Sequence, residues 1–133
     1  MSVWYLDSSA IVKLAVAERE SLSLARWRTG LPDGDVLMTC ELAVTEVLRA
    51  VGRVRGDAGV ALAHLDSLEQ LAIDRDLLLA AGALAPSSMR TLEAIHLAAA
   101  LAAGDELAGV VTYDDRMASA ALGLGLTPLA PGA

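Results

Sequence analysis

The chain is constrained first by its opening stretch, Val3-Trp4-Tyr5-Leu6-Asp7-Ser8-Ser9-Ala10-Ile11-Val12-Lys13-Leu14. Apolar and aromatic strand formers run into an acid and two hydroxyls, which then open an apolar helix. A strand buried on both faces and followed at once by a helix belongs to a parallel sheet with crossover helices. Asp7 is then delivered to the carboxyl end of a buried strand, where open α/β sheets bind their ligands. Asp7 or Ser8 could instead be an N-cap and nothing more. The rest of the chain decides whether the acid has company.

Taken in order, residues 9–27 read as a helix, with Ile11, Leu14, Ala15, Leu22 and Ala25 apolar and Glu18, Arg19 and Glu20 solvated. The Gly and Pro content of 30–35 marks a loop. A short strand over 36–39 precedes a helix from 40 or 41 to 54. Further helices are expected at 56–70, 76–84, 92–103 and 116–122, and strands at 71–74 and 110–113. Residues 126–129 can add a short edge strand. Strands separated by helices describe right-handed crossovers on one parallel sheet. The 133 residues suffice for one domain, with no internal repeat and no linker.

Of these residues 55% are apolar, with two Trp, two Tyr and no Phe, so the core must be Leu, Val and Ala. Mean hydropathy is high at +0.51. Apolar exteriors of that kind are normally covered by another chain. Cys40 is the only cysteine, which excludes an intrachain disulfide and suits a reducing cytoplasm. No uncharged apolar run approaches the ~18 residues of a membrane span, and no basic region precedes the first strand. A soluble, cytoplasmic protein is expected. The net charge of −7 argues against coating nucleic acid by charge alone, and leaves carboxylates gathered around a cation as an alternative to a solvated surface.

Two acids, Asp7 and Asp114, fall at strand ends on one edge of the expected sheet. Glu46 and Glu93 sit in largely apolar helical stretches, where a buried carboxylate needs a partner. Locally each has an ordinary explanation: Glu46 beside Arg49 and Arg53 on one helix face, Glu93 in a first turn favoured by the helix dipole. Jointly these explanations are weaker, because four acids at converging positions would be a coincidence, and three or four convergent carboxylates would suit a hard divalent cation such as Mg²⁺ or Mn²⁺ and water-assisted cleavage of a phosphodiester.

Four blocks carry a resemblance. They are Tyr5 to Leu14, Ala43-Val44-Thr45-Glu46-Val47-Leu48-Arg49-Ala50, Arg90-Thr91-Leu92-Glu93-Ala94-Ile95-His96-Leu97-Ala98-Ala99-Ala100, and Val111-Thr112-Tyr113-Asp114-Asp115-Arg116-Met117. They resemble the signature blocks of PIN-domain nucleases, and their order and spacing are similar to those of VapC toxins of toxin–antitoxin pairs. The resemblance covers nearly the whole chain. It implies a three-layer α/β/α sandwich around a parallel sheet of four or five strands, and a Mg²⁺- or Mn²⁺-dependent endoribonuclease, usually dimeric, held inactive by a VapB-type antitoxin. It further implies Asp7, Glu46, Glu93 and Asp114 as the catalytic acids, with Asp7, Glu93 and Asp114 as metal ligands. Ser9 and Thr112 are the implied polar neighbours, and Asp115 an assisting acid. Substrates of the family are structured RNAs such as transfer or ribosomal RNA. The chain departs at Glu93, where the family usually carries Asp, which lengthens the acid's reach by one methylene.

An acidic nuclease must still attract RNA, and Arg49, Arg53, Arg55, Arg90 and Arg116 lie near the acidic blocks in sequence as candidate phosphate contacts. Their alternative is ordinary surface arginine. Rival chemistries fit less well. An aspartyl-nucleophile phosphatase wants a second acid two residues after the first and a lysine late in the chain, but Ser9 stands there and Lys13 is the only lysine. A di-iron bundle needs two Glu-x-x-His motifs, and Glu93 to His96 supplies one. His96 therefore reads as a helix residue packed beside the sheet, and His64 as a solvated one. A protein-binding module whose nuclease site has decayed through Glu93 is the non-enzymatic alternative.

Overall fold

Five parallel strands in the order β3-β2-β1-β4-β5 form the centre of the computed structural model, which describes residues 1–133. The strands are β1 (Val3–Leu6), β2 (Val36–Cys40), β3 (Glu69–Leu71), β4 (Leu107–Val111) and β5 (Pro128–Leu129). The helices are α1 (Ser8–Ala15), α2 (Ser21–Thr29), α3 (Leu42–Arg53), α4 (Ala58–Asp66), α5 (Arg75–Gly82), α6 (Thr91–Leu101) and α7 (Asp115–Gly123). The sheet grows outward from β1 in one direction through β2 and β3, and in the other through β4 and β5. That reversal leaves a crevice at the carboxyl ends of β1 and β4, the ligand-binding position of open α/β sheets.

Alternation along the strands divides the core in two. Val3 and Tyr5 of β1, with Met38 and Cys40 of β2, pack on α5, α6 and α7. Leu6 and Val111 face the other way, onto α1 to α4 through Ile11, Leu24, Val47, Val51 and Leu65. The expected α/β/α sandwich is therefore present. Its most enclosed helix is α6, in which every residue from Glu93 to Ala100 is buried. Four alanines let this helix lie close to the sheet, and a helix apolar on all sides is a core helix. Gly109 serves the same close packing in β4, because a Cβ there would meet the Thr127 carbonyl at 2.9 Å and the Trp4 ring at 3.1 Å.

Four expected elements differ. The helix expected over 56–70 ends at Asp66, and Glu69 and Gln70 belong to β3. The helix expected over 9–27 is two helices, broken at residues 16–20. The Ser21 hydroxyl accepts the Glu18 N–H and donates to the Val16 carbonyl, so a side chain takes over backbone partners that a continuous helix would use. The break also lets Lys13 reach Glu20 at 2.7 Å; seven residues of unbroken helix would separate them by about 10 Å along the axis. The strand expected at 71–74 lies at Glu69–Leu71, because the Asp74 carboxylate accepts the Leu77 N–H and caps α5. The strand expected at 110–113 lies at Leu107–Val111. The small residues Ala108 and Gly109 hid its start, and Asp114, as the cap of α7, fixes where the next helix begins.

Candidate active site

The crevice at the β1 and β4 ends is a cleft of about 320 Å³ whose walls include Asp7, Glu46, Glu93 and Asp114, with Ser8, Ser9, Arg90 and His96. Four acids separated by up to 107 positions in sequence thus share one cavity. Asp7 is 3% exposed. One carboxylate oxygen accepts the Ser9 hydroxyl at 2.6 Å and the Ala10 N–H at 3.1 Å, which caps α1. The other accepts the Thr112 hydroxyl. Capping and siting are therefore the same arrangement, since the oxygen that caps α1 also accepts the Ser9 hydroxyl. Burial pushes the Asp7 pKa up, and the hydrogen bonds from Ser9 and Thr112 only partly offset it. Ser9 and Thr112, expected as polar neighbours, hold the acid from both sides, and Ser9 also accepts the Tyr113 N–H at 2.8 Å, joining the ends of β1 and β4.

Asp114 is exposed at the rim and caps α7 through one oxygen, which accepts the N–H groups of Arg116 and Met117. Glu93 is buried at the start of α6, and its Oε1 accepts the Arg116 Nε–H at 3.0 Å. Arg116 is half exposed and reaches Glu93 across the α6–α7 junction. Asp115 is exposed on α7 and does not line the cleft. Of the five arginines singled out, Arg90 lines the cleft and Arg116 stands behind Glu93. Arg49, Arg53 and Arg55 are exposed and away from the cleft walls.

The expected neighbours of Glu46 are replaced by others. Instead of Arg49 and Arg53, its Oε1 accepts the Ser8 hydroxyl and pairs with His96 Nε2, both at 2.6 Å. The other ring nitrogen of His96 meets the Tyr5 hydroxyl at 2.6 Å, and the Cys40 sulfur lies 3.9 Å away. Burial alone would lower the His96 pKa, but the Cys40 and Glu46 side chains raise it to about 9. Burial raises Glu46, yet His96 and Ser8 bring it below the ordinary carboxylate value. Sequence reasoning put His96 beside the sheet, where it is, and missed its bond to Glu46. The available signal was Glu46 itself, an acid in an apolar stretch with an unassigned partner.

As these side chains stand, no three His, Cys, Asp or Glu groups are gathered to hold a metal ion. The donor set nevertheless fits a hard divalent ion: carboxylates on one cleft, with no thiolate among its walls. Asp7 is a desolvated carboxylate whose hydrogen-bond donors are all neutral, so a cation would offset its burial.

The PIN domain family matches residues 4–122, and the chain belongs to that family. Its relatives then narrow the position. It is 48% identical to Ribonuclease VapC46 of Mycobacterium tuberculosis, over 98% of this chain and 99% of that protein. It is 36% identical to Ribonuclease VapC47 of the same species, over 97% of each. In fold it is similar to the crystal structure of M. tuberculosis VapC20, a sarcin-ricin loop cleaving toxin. That match has a TM-score of 0.73 at 16% identity and covers 96% of this chain and 99% of that one. A chain of a toxin–antitoxin complex from Klebsiella pneumoniae matches at a TM-score of 0.65 and 15% identity, over 90% and 91%. Within the PIN-domain family the chain is of the VapC type.

Proposed function

We propose that the chain is the endoribonuclease toxin of a toxin–antitoxin pair, hydrolysing phosphodiester bonds in structured RNA such as transfer or ribosomal RNA with Mg²⁺ or Mn²⁺. The observation that carries the reading is the convergence of Asp7, Glu46, Glu93 and Asp114 on one cleft at the reversal point of the sheet. Near-full-length identity to proteins named as ribonucleases supports it. In this reading Asp7, Asp114 and Glu93 would hold the ion, which would supply charge neutralisation at the phosphate and a lowered pKa for a water. Glu93 would join through Oε2, its Oε1 being held by Arg116.

The chain's own groups do the rest. Ser9 and Thr112 fix the Asp7 carboxylate so that no reorganisation is needed as substrate arrives. Arg90, at the N-terminus of α6 on the cleft wall, supplies positive charge for a substrate phosphate. Glu46, with Oε2 free of protein partners, orients water at the phosphate.

A VapB-type antitoxin segment would cover apolar surface. The groove between α1, α2 and α4, lined in part by Leu14, Val16, Leu22 and Ala25, suits an amphipathic helix. We assign the remaining exposed leucines, Leu78, Leu79 and Leu122 among them, to contacts of a homodimer, which analytical ultracentrifugation would measure. Pairing of Glu93 with Arg116 is the one observation favouring a binding module without nuclease activity.

Cleavage of total cellular RNA by partner-free protein, with and without EDTA, tests the reading. Wild type should cut only with Mg²⁺ or Mn²⁺, Asp7→Asn should not cut, and Glu93→Asp should cut at least as fast as wild type. Folded wild type and Glu93→Asp that both leave RNA intact with either ion would favour the binding module.

A further inference from the structure

The polar network behind Glu46 is more elaborate than a partly buried acid requires. His96 is 2% exposed on the enclosed helix α6, yet it links Tyr5 in the centre of the sheet to Glu46 on α3. Both hydrogen bonds received by Glu46 fall on Oε1, at lengths typical of charge-assisted contacts. Oε2 accepts no protein hydrogen bond and belongs to a side chain on the cleft wall.

We propose that His96 is a positioning residue for Glu46: it fixes Oε1, with Ser8, and so leaves Oε2 as the oxygen offered to a water in the cleft. The Tyr5 hydroxyl holds the opposite ring nitrogen and sets the ring's orientation, as an outer partner does for a ligating histidine. The groups facing the ring are Tyr5 from β1, Ser8 from α1, Cys40 from β2 and Glu46 from α3, and the Asp7 charge acts on the same region through space. Among them Glu46 is the only carboxylate in hydrogen-bond contact with the ring. A raised imidazole pKa is consistent with such a clamp. The inference rests on the ribonuclease reading.

Two substitutions separate positioning from structure. His96→Gln puts an amide N–H near the place of Nε2 and can still donate to Glu46, whereas His96→Asn reaches only the place of Nδ1 and the Tyr5 hydroxyl. Steady-state cleavage should show His96→Gln within about 3-fold of wild type in kcat. His96→Asn should lose about 10- to 100-fold in kcat with KM little changed, the usual scale for outer partners of a site. In a Glu46→Gln background the His96→Asn loss should vanish. Equal losses in the two His96 variants, a wild-type rate in His96→Asn, or an undiminished loss in the Glu46→Gln background would each overturn the proposal.

Ser8→Ala removes the other donor to Oε1 without touching the core, and carries the same test should His96→Asn not fold. A lowered kcat supports the clamp and an unchanged one overturns it. In metal-free protein the Nε2 proton should give a far-downfield NMR signal that Glu46→Gln abolishes; its absence from wild type at neutral pH overturns the clamp. Wild-type protein that shows this signal and cuts no RNA with either ion refutes the ribonuclease reading and leaves the contact intact, so the two failures are told apart.

Discussion

Raising the pH should unfold this protein sooner than its acidic composition suggests, and the cause is His96. Its pKa in the folded protein is about 9, against an ordinary 6.5. A group whose folded pKa is raised contributes stability that is fully present below the unfolded value and is lost as pH rises through the folded one. At about 1.36 kcal/mol per pH unit, the contribution is about 3 kcal/mol at pH 6 and is gone near pH 9.5. Against a domain stability on the order of 5–15 kcal/mol that loss is large. Cys40 works the other way. Burial raises its thiol pKa, the imidazole beside it lowers it overall, and a lowered thiol adds stability as pH rises. Glu46 at 2.6 Å is the closer of the two partners of His96, the sulfur standing at 3.9 Å. The net alkaline trend should therefore be a loss.

Urea unfolding at a series of pH values from 6 to 9.5 measures this directly. Trp4 and Trp27 meet edge to face with ring centroids 5.3 Å apart, so tryptophan fluorescence reports loss of the fold. The informative quantity is wild type minus His96→Gln at each pH, which cancels the groups that do not touch the ring and leaves His96 with its partners Cys40 and Glu46. It should fall by about 3 kcal/mol across the range, with its steepest part above pH 7. Glu46→Gln should flatten it. On the acid side Glu46 has a lowered pKa, so its contribution is present above the ordinary carboxylate value and is lost as pH falls through the lowered one. A difference that stays level from pH 6 to 9.5 would refute the reasoning and show that folding leaves the imidazole pKa unshifted, and one that rises would show that the imidazole is neutral when folded.

Other perturbations test other parts of the site. Asp7→Asn should abolish cleavage while raising stability by about 1 kcal/mol in urea, because burial opposes the charge that function needs and the amide keeps an acceptor for Ser9 and Ala10; lower stability would mean that the Thr112 bond to the charged oxygen outweighs desolvation. Arg116→Ala should tighten Mn²⁺ binding in calorimetric titration by up to about 5-fold, the scale of a partly exposed ion pair, since the Glu93 carboxylate no longer shares its charge with a guanidinium. Gly109→Ala should cost about 1–3 kcal/mol, read as a lower urea midpoint with an unchanged slope, because the Thr127 carbonyl and the Trp4 ring stand where the new methyl must go.

The sheet and its edge of acids were legible in the sequence because they rest on strong local signals. Val3-Trp4-Tyr5-Leu6 followed by Asp7 can hardly be read as anything but a strand delivering an acid to a helix. The misplaced elements failed where a single side chain outweighed periodicity: Ser21 and Lys13 at the break between α1 and α2, and Asp74 at the cap of α5. In the site, Asp7 was legible as cap and candidate ligand together and Asp114 as a strand-end acid, and each caps its helix with one oxygen. What sequence could not carry was pairing across layers. Glu46 had Arg49 and Arg53 at helical spacing, but a carboxylate facing the sheet meets what the sheet brings it, and β1, α1 and α6 bring Ser8 and His96.

The same limit governs Glu93. Its extra methylene reads in sequence as a small change of reach toward a cation, whereas in the folded chain the added reach coincides with a bond to Arg116, across a junction that no local pattern encodes. A shorter acid at this position would draw back from the guanidinium and toward the cleft, so the cost of the longer one falls on competition with an internal cation as much as on geometry. Glu93→Asp and Arg116→Ala should then act through the same contact, and their effects on Mn²⁺ affinity should be less than additive in the double variant, as expected of residues that share a partner. Fully additive effects would mean that reach alone sets the affinity and that the Arg116 bond is incidental.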